Sequence, residues 1–147
     1  MSPLGKNTLE ADKKAFVALM KFLAANDKRH TVIMVQPQNE VGTYGSVRDF
    51  SPMAQAVFNA AVPESLTDAL SLPRGTWTEV FGKDADEFFH AYHIAKYVDE
   101  IAAAGKAVKA LPMYVNVALR NPFNPGLPGQ YASGGPTDNV LDVWRKA

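Results

Sequence analysis

The chain has 147 residues, with 47% hydrophobic and 20% charged content, enough apolar material to bury a core in one compact domain and too little charge for a disordered chain. Fifteen Lys and Arg balance fifteen Asp and Glu, so no net field draws nucleic acid or an anionic membrane, and neither partner is expected. The absence of cysteine excludes disulfides, thiolate nucleophiles and cysteine zinc sites together.

Asn7 or Thr8 can cap a first helix with Glu10 in its first turn, and Ala15, Phe16, Leu19, Met20 and Leu23 recur at helical spacing until Asn26-Asp27. Thr31-Val-Ile-Met-Val35 follows, a β-branched apolar run between polar residues, which reads as a strand buried on both faces. Gly42 to Phe50 reads as loop, Ser51-Pro52 opens a short helix, Val62-Pro-Glu-Ser-Leu begins another, and Trp77 to Phe81 fits one helical turn. Asp84 is expected to cap the longest helix, whose face Phe88, Ala91, Tyr92, Ala95, Val98 and Ile101 continues until Gly105 stops it. Leu111 to Leu119 reads as a second strand, Arg120 to Pro136 as a long loop dense in Pro and Gly, and Thr137 or Asp138 as the cap of a last helix. This alternation predicts an α/β protein with about two parallel strands, whose open edges need a cover. The start at Met1 shows no leader pattern and no apolar run reaches the roughly 20 residues of a membrane span, so the chain as it stands reads as cytoplasmic.

Asn39 and Glu40 stand side by side where the first strand gives way to loop, the end at which α/β barrels gather catalytic groups. A glutamate held there among apolar neighbours keeps its proton and serves as a general acid; the plainer alternative is a loop carboxylate capping backbone N–H groups. Glu87, His90 and His93 share a helix at short spacing, but the pattern is not a metal signature and no metal or other cofactor is expected. Ser46, Ser51 and Ser133 lack a nucleophile elbow, and the glycine pairs lack phosphate-loop spacing. Tyr44, Trp77, Phe123 and Tyr131 are candidate flat faces for sugar rings, with Asn116, Asn121 and Gln130 as partners for hydroxyls; the alternative is that these rings pin the loops down.

Val32-Ile-Met-Val-Gln-Pro-Gln-Asn-Glu-Val-Gly42 resembles the strand-four motif of glycoside hydrolase family 35, the β-galactosidases. Val47-Arg-Asp-Phe-Ser-Pro52, Gly75-Thr-Trp-Thr-Glu-Val-Phe-Gly82, Ala104-Gly-Lys106, Leu111 to Leu119 and Ser133-Gly-Gly-Pro-Thr-Asp138 extend the likeness to a bacterial β-galactosidase-like branch over nearly the whole chain. The resemblance implies the middle of a (β/α)8 barrel, roughly strands four and five of a domain of about 250 residues. It also implies a retaining mechanism with two glutamates about 5 Å apart. It makes Glu40 the acid/base and Asn39 the partner of the sugar 2-hydroxyl, whereas the family nucleophile lies on a later strand and has no counterpart here. Pro37 and Gln38 depart from the family pattern, and Pro37 suggests a bulge or an edge.

The sequence therefore predicts a partial barrel completed by association of chains into a homo-oligomer. It acts on a carbohydrate, as a β-galactoside-type glycosidase whose lost nucleophile is replaced by Asp49, Glu64 or Asp138. Asp49 activating a water opposite Glu40 is the inverting version. The competing expectation is a non-catalytic oligomeric remnant that binds sugar weakly or not at all.

Overall fold

The computed structural model describes residues 2–147, so Met1, where the leader was sought, lies outside the described residues. The chain is helical: α1 (Lys6–Asn26), α2 (Pro52–Phe58), α3 (Glu64–Leu70), α4 (Trp77–Phe81), α5 (Ala85–Lys106) and α6 (Leu141–Lys146) are joined by long irregular segments. The expected α/β architecture, a partial (β/α)8 barrel with about two parallel strands, is not what forms. Among the described residues there is no sheet, and the two segments read as strands touch at one isolated parallel bridge, Val35 to Met113.

The reason lies in the backbone. Val35 donates to the carbonyl of Pro112 and Tyr114 to that of Val35, at 3.0 and 3.2 Å, but Pro37 and Pro112 each withdraw a ladder donor on either side of this contact. Two parallel segments without further neighbours do not sustain a ladder. Nor is the first segment buried on both faces, since Ile33 is 74% exposed.

The helices follow local chemistry more closely. Ser51 accepts from the Ala54 N–H with Pro52 in the first turn of α2. Thr76 and Glu79 close a reciprocal capping box on α4. A 3-10 turn, Gly82–Asp84, leads into α5, and neither Asp84 nor the Gly5 before α1 supplies a side-chain cap.

Helix α5 runs through both halves of the core. Its first half packs Phe89, Ala91 and Tyr92 with Val62, Leu66, Trp77, Val140 and Val143. Its second half packs Tyr97 and Ile101 against Phe16 and Met20 of α1. Gly105, expected to stop α5, lies within it, because the helix continues to Lys106. Its role is close approach: a Cβ there would run into the Phe16 ring and crowd the Met113 methyl. Among the described residues no helix is long and apolar enough to cross a membrane.

Gly105→Ala is therefore expected to destabilise the protein. The helix-propensity gain of about 1 kcal/mol is outweighed by overpacking that typically costs about 1–3 kcal/mol. Urea unfolding should show a lower midpoint with an unchanged slope; a midpoint at or above wild type would contradict the close α1–α5 contact.

Candidate functional site

The polar face of α5 holds the two long loops. Asp86 accepts from Arg48 Nε at 2.5 Å, and the Arg48 guanidinium, buried at 4% exposure, lies 4.0 Å from the ring centres of both Phe50 and Phe58. Its remaining donors reach the Asp49 carbonyl and Gln55 Oε1, at 2.8 Å each. One residue on, buried Glu87 accepts from the Tyr131 hydroxyl at 2.7 and 2.9 Å, from Asn139 Nδ2 at 2.8 Å and from Ser133 Oγ at 3.4 Å. Burial first, then the bond to Glu87, pushes the Tyr131 phenol up to about 12, so it remains a donor at neutral pH. One turn further, His90 Nε2 shares a 2.8 Å hydrogen bond with Thr43 Oγ1. The loops in turn hold each other through paired backbone bonds between Thr43 and Ser133, at 2.9 and 3.1 Å.

Gly42 makes that crossing feasible. Its φ is +139°, and a Cβ would collide with the backbone of Ala132.

Between the first loop and the α1–α5 pair lies an open cleft of about 350 Å³. Asp12, Gln38, Asn39, Glu40, Tyr44 and Tyr97 line it, with Ile94 and Val98 as apolar wall. Asn39 and Glu40 are joined there by Asn116 from the second extended segment: Asn116 Oδ1 accepts from the Glu40 N–H at 2.8 Å and Asn116 Nδ2 donates to Asn39 Oδ1 at 3.0 Å. Gln36 Nε2 donates to the same Asn39 oxygen at 3.0 Å, while the Asn39 amide hydrogens make no bond to the described residues and can meet a ligand. Glu40 sits at φ +46°, a left-handed conformation that a non-glycine residue adopts at some cost.

On the floor, Tyr97 donates to Asp12 Oδ2 at 2.6 Å and Gln38 Nε2 to the same oxygen at 3.3 Å. Desolvation, then the bond and charge of Asp12, raise the Tyr97 phenol, so this hydroxyl too stays a donor.

The residues expected to work together fall in different places. Asn39, Glu40 and Tyr44 line the cleft, with Asn116 bonded to the first two, and Tyr44 is 64% exposed, with its ring open to a ligand. Glu40 is exposed as well, so the expected apolar enclosure is not there. Trp77 and Tyr131 are buried. Trp77 packs edge-on to Phe89 at 5.3 Å and stacks on Phe81 at 5.5 Å, and neither ring offers a face to sugar. These two aromatics pin the structure together. Glu64 begins α3 beside Arg74 and does not line the cleft.

Asp49 lies in an adjoining hollow that shares Thr43 and His90 with the cleft. Burial would raise its carboxyl, but hydrogen bonds from the Ser2 side chain and from Ser51 outweigh this and hold it below the usual range. Asp138 forms a fork with Arg120 at 2.6 and 2.8 Å, and that bond depresses its carboxyl. Glu87, His90 and His93 do not converge, since His93 is packed among the rings of Trp77, Phe89 and Tyr92. Among the described residues no group of His, Asp and Glu is arranged to hold a metal.

Sequence reasoning missed Asp12 and Tyr97. They stand 85 residues apart on two helices, and only the packing of α1 on α5 joins them. The sequence matches no protein-family model and no curated protein.

The two histidines fix a pH window. Burial lowers both from 6.5 to about 4, and His90 Nδ1 and His93 Nε2 are buried without partners among the described residues. Between these values the unfolded chain binds protons that the folded chain refuses, so stability is complete above about pH 6.5 and declines as pH falls toward 4. The slope approaches about 1.4 kcal/mol per pH unit for each imidazole. Asp49 and Asp138 are lowered from 3.8, so their stabilisation is lost only at still lower pH. Thermal melts from pH 7.5 to 4.5 should show the decline, with His93→Phe removing about half of it. A flat profile would mean that the imidazoles are not buried as neutral groups.

Proposed function

We propose that the protein is a glycoside-hydrolase-like enzyme that cleaves the O-glycosidic bond of a β-galactoside-type carbohydrate, with Glu40 as general acid/base. The observation that carries this reading is the Asn39–Asn116–Glu40 arrangement at the cleft. Asn116 fixes both neighbours, the Asn39 amide hydrogens, unbonded to the described residues, point to recognition of a sugar hydroxyl, and the exposed Tyr44 ring supplies a stacking surface. Cyclic polyols are bound in this way, by amides and carboxylates on hydroxyls with an aromatic face beneath the ring. The unusual backbone at Glu40 is the kind of local cost that concentrates at functional positions. The resemblance of the Asn39-Glu40 motif to the β-galactosidases agrees with this assignment of roles.

A second reading is carbohydrate binding without hydrolysis. It is favoured by the exposure of Glu40 and by the positions of Asp49 and Glu64, neither of which lines the cleft.

Self-association forms part of the proposal. Ile33, Met34, Tyr114 and Val115 are exposed on the adjacent extended segments, and a second copy of the chain is the partner that would cover them. Sedimentation at micromolar concentration should find a dimer or larger species; a monomer throughout would remove this part of the proposal and leave the cleft untouched.

The test of function is hydrolysis of lactose and aryl β-galactosides, with galactose binding followed by NMR. Glu40→Gln should lower turnover by about 10²–10⁴ and leave the melting temperature unchanged, because the Glu40 carboxylate makes no bond to any described residue. Binding without turnover in the wild type would favour the second reading. No binding of any glycoside would refute both.

A further inference from the structure

Glu40 alone cannot complete a glycoside hydrolysis. Protonating the leaving oxygen leaves the anomeric carbon needing an incoming nucleophile, and a water must lose a proton as it attacks. The carboxylates expected for this step do not line the cleft: Glu64 is paired with Arg74 on α3, Asp138 is forked to Arg120, and Asp49 spends its oxygens on Ser51 in the adjoining hollow.

One other carboxylate does line it. Asp12, half-buried on α1, shares the cleft with Glu40. Both of its bonds, from the Tyr97 hydroxyl at 2.6 Å and from Gln38 Nε2 at 3.3 Å, fall on Oδ2. Oδ1 receives none from the described residues, so one oxygen is anchored and the other is available to accept a proton from water. The same Gln38 bond ties Asp12 to the loop that carries Glu40, which follows two residues later, within about 7 Å along the backbone.

We propose that Asp12 is the second catalytic carboxylate, the general base that activates water opposite Glu40, so that hydrolysis proceeds with inversion. This rests on the hydrolytic reading of the cleft and names the residue that reading lacks. In the step, water oxygen bonds to the anomeric carbon and gives a proton to Asp12 as the glycosidic C–O bond breaks. The departing oxygen takes the proton of Glu40. Water is consumed, no oxidant or covalent intermediate is needed, and the two carboxyl groups exchange protonation states. Tyr97 acts as a positioning residue, because its hydroxyl holds the Asp12 carboxylate in place without touching substrate.

The experiment compares wild type, Asp12→Asn, Tyr97→Phe and Glu40→Gln on two substrates. One is lactose, and the other is 2,4-dinitrophenyl β-galactoside, whose leaving group departs without protonation. Asp12→Asn should lower kcat by about 10²–10⁴ on both substrates, with galactose affinity held within a few fold. Glu40→Gln should be severe on lactose and mild on the dinitrophenyl substrate. Tyr97→Phe should lower kcat less than Asp12→Asn.

Proton NMR of the wild-type reaction, which needs no variant to fold, should show α-galactose as the first product. Asp12→Asn with kcat near wild type, or β-galactose formed first, overturns the role of Asp12 while leaving Glu40 as the acid. Equal losses for Glu40→Gln on both substrates would instead remove the assignment of Glu40. A wild type that binds galactose but cleaves neither substrate refutes both.

Discussion

A carboxylate buried on the central helix, Glu87, is the constraint on which the rest of the structure depends. Among the described residues no ion pair neutralises it. Instead the Tyr131 hydroxyl, the Asn139 amide and the Ser133 hydroxyl satisfy it from a loop more than forty residues downstream. A buried charge is tolerated only when its oxygens are fully bonded, so the fold must bring that loop back across α5. Loss of the acceptor leaves buried donors without partners, at about 1–3 kcal/mol each. Asp86 and His90, neighbours on the same face, hold the earlier loop through Arg48 and Thr43. Helix α5 is thus a bolt between two loops that have no regular structure of their own.

The cleft follows from that bolt. Thr43 is fixed to His90 and to Ser133, and the residues just before it, Asn39 to Gly42, are carried to the mouth of the groove formed by α1 and α5. From the other side Asn116 reaches Glu40 from an extended segment joined to the first by only one bridge. Asn39, Glu40 and Asn116 therefore sit on irregular backbone. The groups around them come from helices: Asp12 from α1 and Tyr97 from α5 below, Glu87 and His90 beside. Rigid helices fix the supports, while the loop is left to adapt to its ligand.

The helices were legible because their signals are local. Ser51-Pro52, Thr76 with Glu79 and the apolar spacing of α1 and α5 act within a few residues. The strands were misread because Thr31 to Val35 and Leu111 to Leu119 have the β-branched composition of buried strands, yet a strand exists only through its neighbours. With Pro37 and Pro112 beside the one bridge, no ladder forms. Asn39 and Glu40 were legible as a polar pair where an extended segment gives way to loop, and Asn116 as a separate partner for hydroxyls; that the three meet is set by the tertiary fold. Trp77 and Tyr131 were ambiguous between platform and pin, and burial, which depends on the whole fold, decided for pin. Gly105 looked like a helix stop because glycine has two uses; only the Phe16 ring against it shows which one applies. Asp12 gave no signal, since nothing in an amphipathic helix marks one charged residue as facing a cleft.

The most direct test of the role given to Glu87 is amide hydrogen exchange on Glu87→Leu beside wild type. If α5 bolts the loops, amides in both the Gly42–Arg48 and Tyr131–Thr137 stretches should lose protection together, because the Thr43–Ser133 pairing links them. The α1–α5 contact around Phe16, Met20 and Ile101 should keep its protection. Loss of protection confined to the second loop, or spread evenly over the whole chain, would contradict a structure in which the buried carboxylate secures the second loop and, through the Thr43–Ser133 pairing, helps to hold the first.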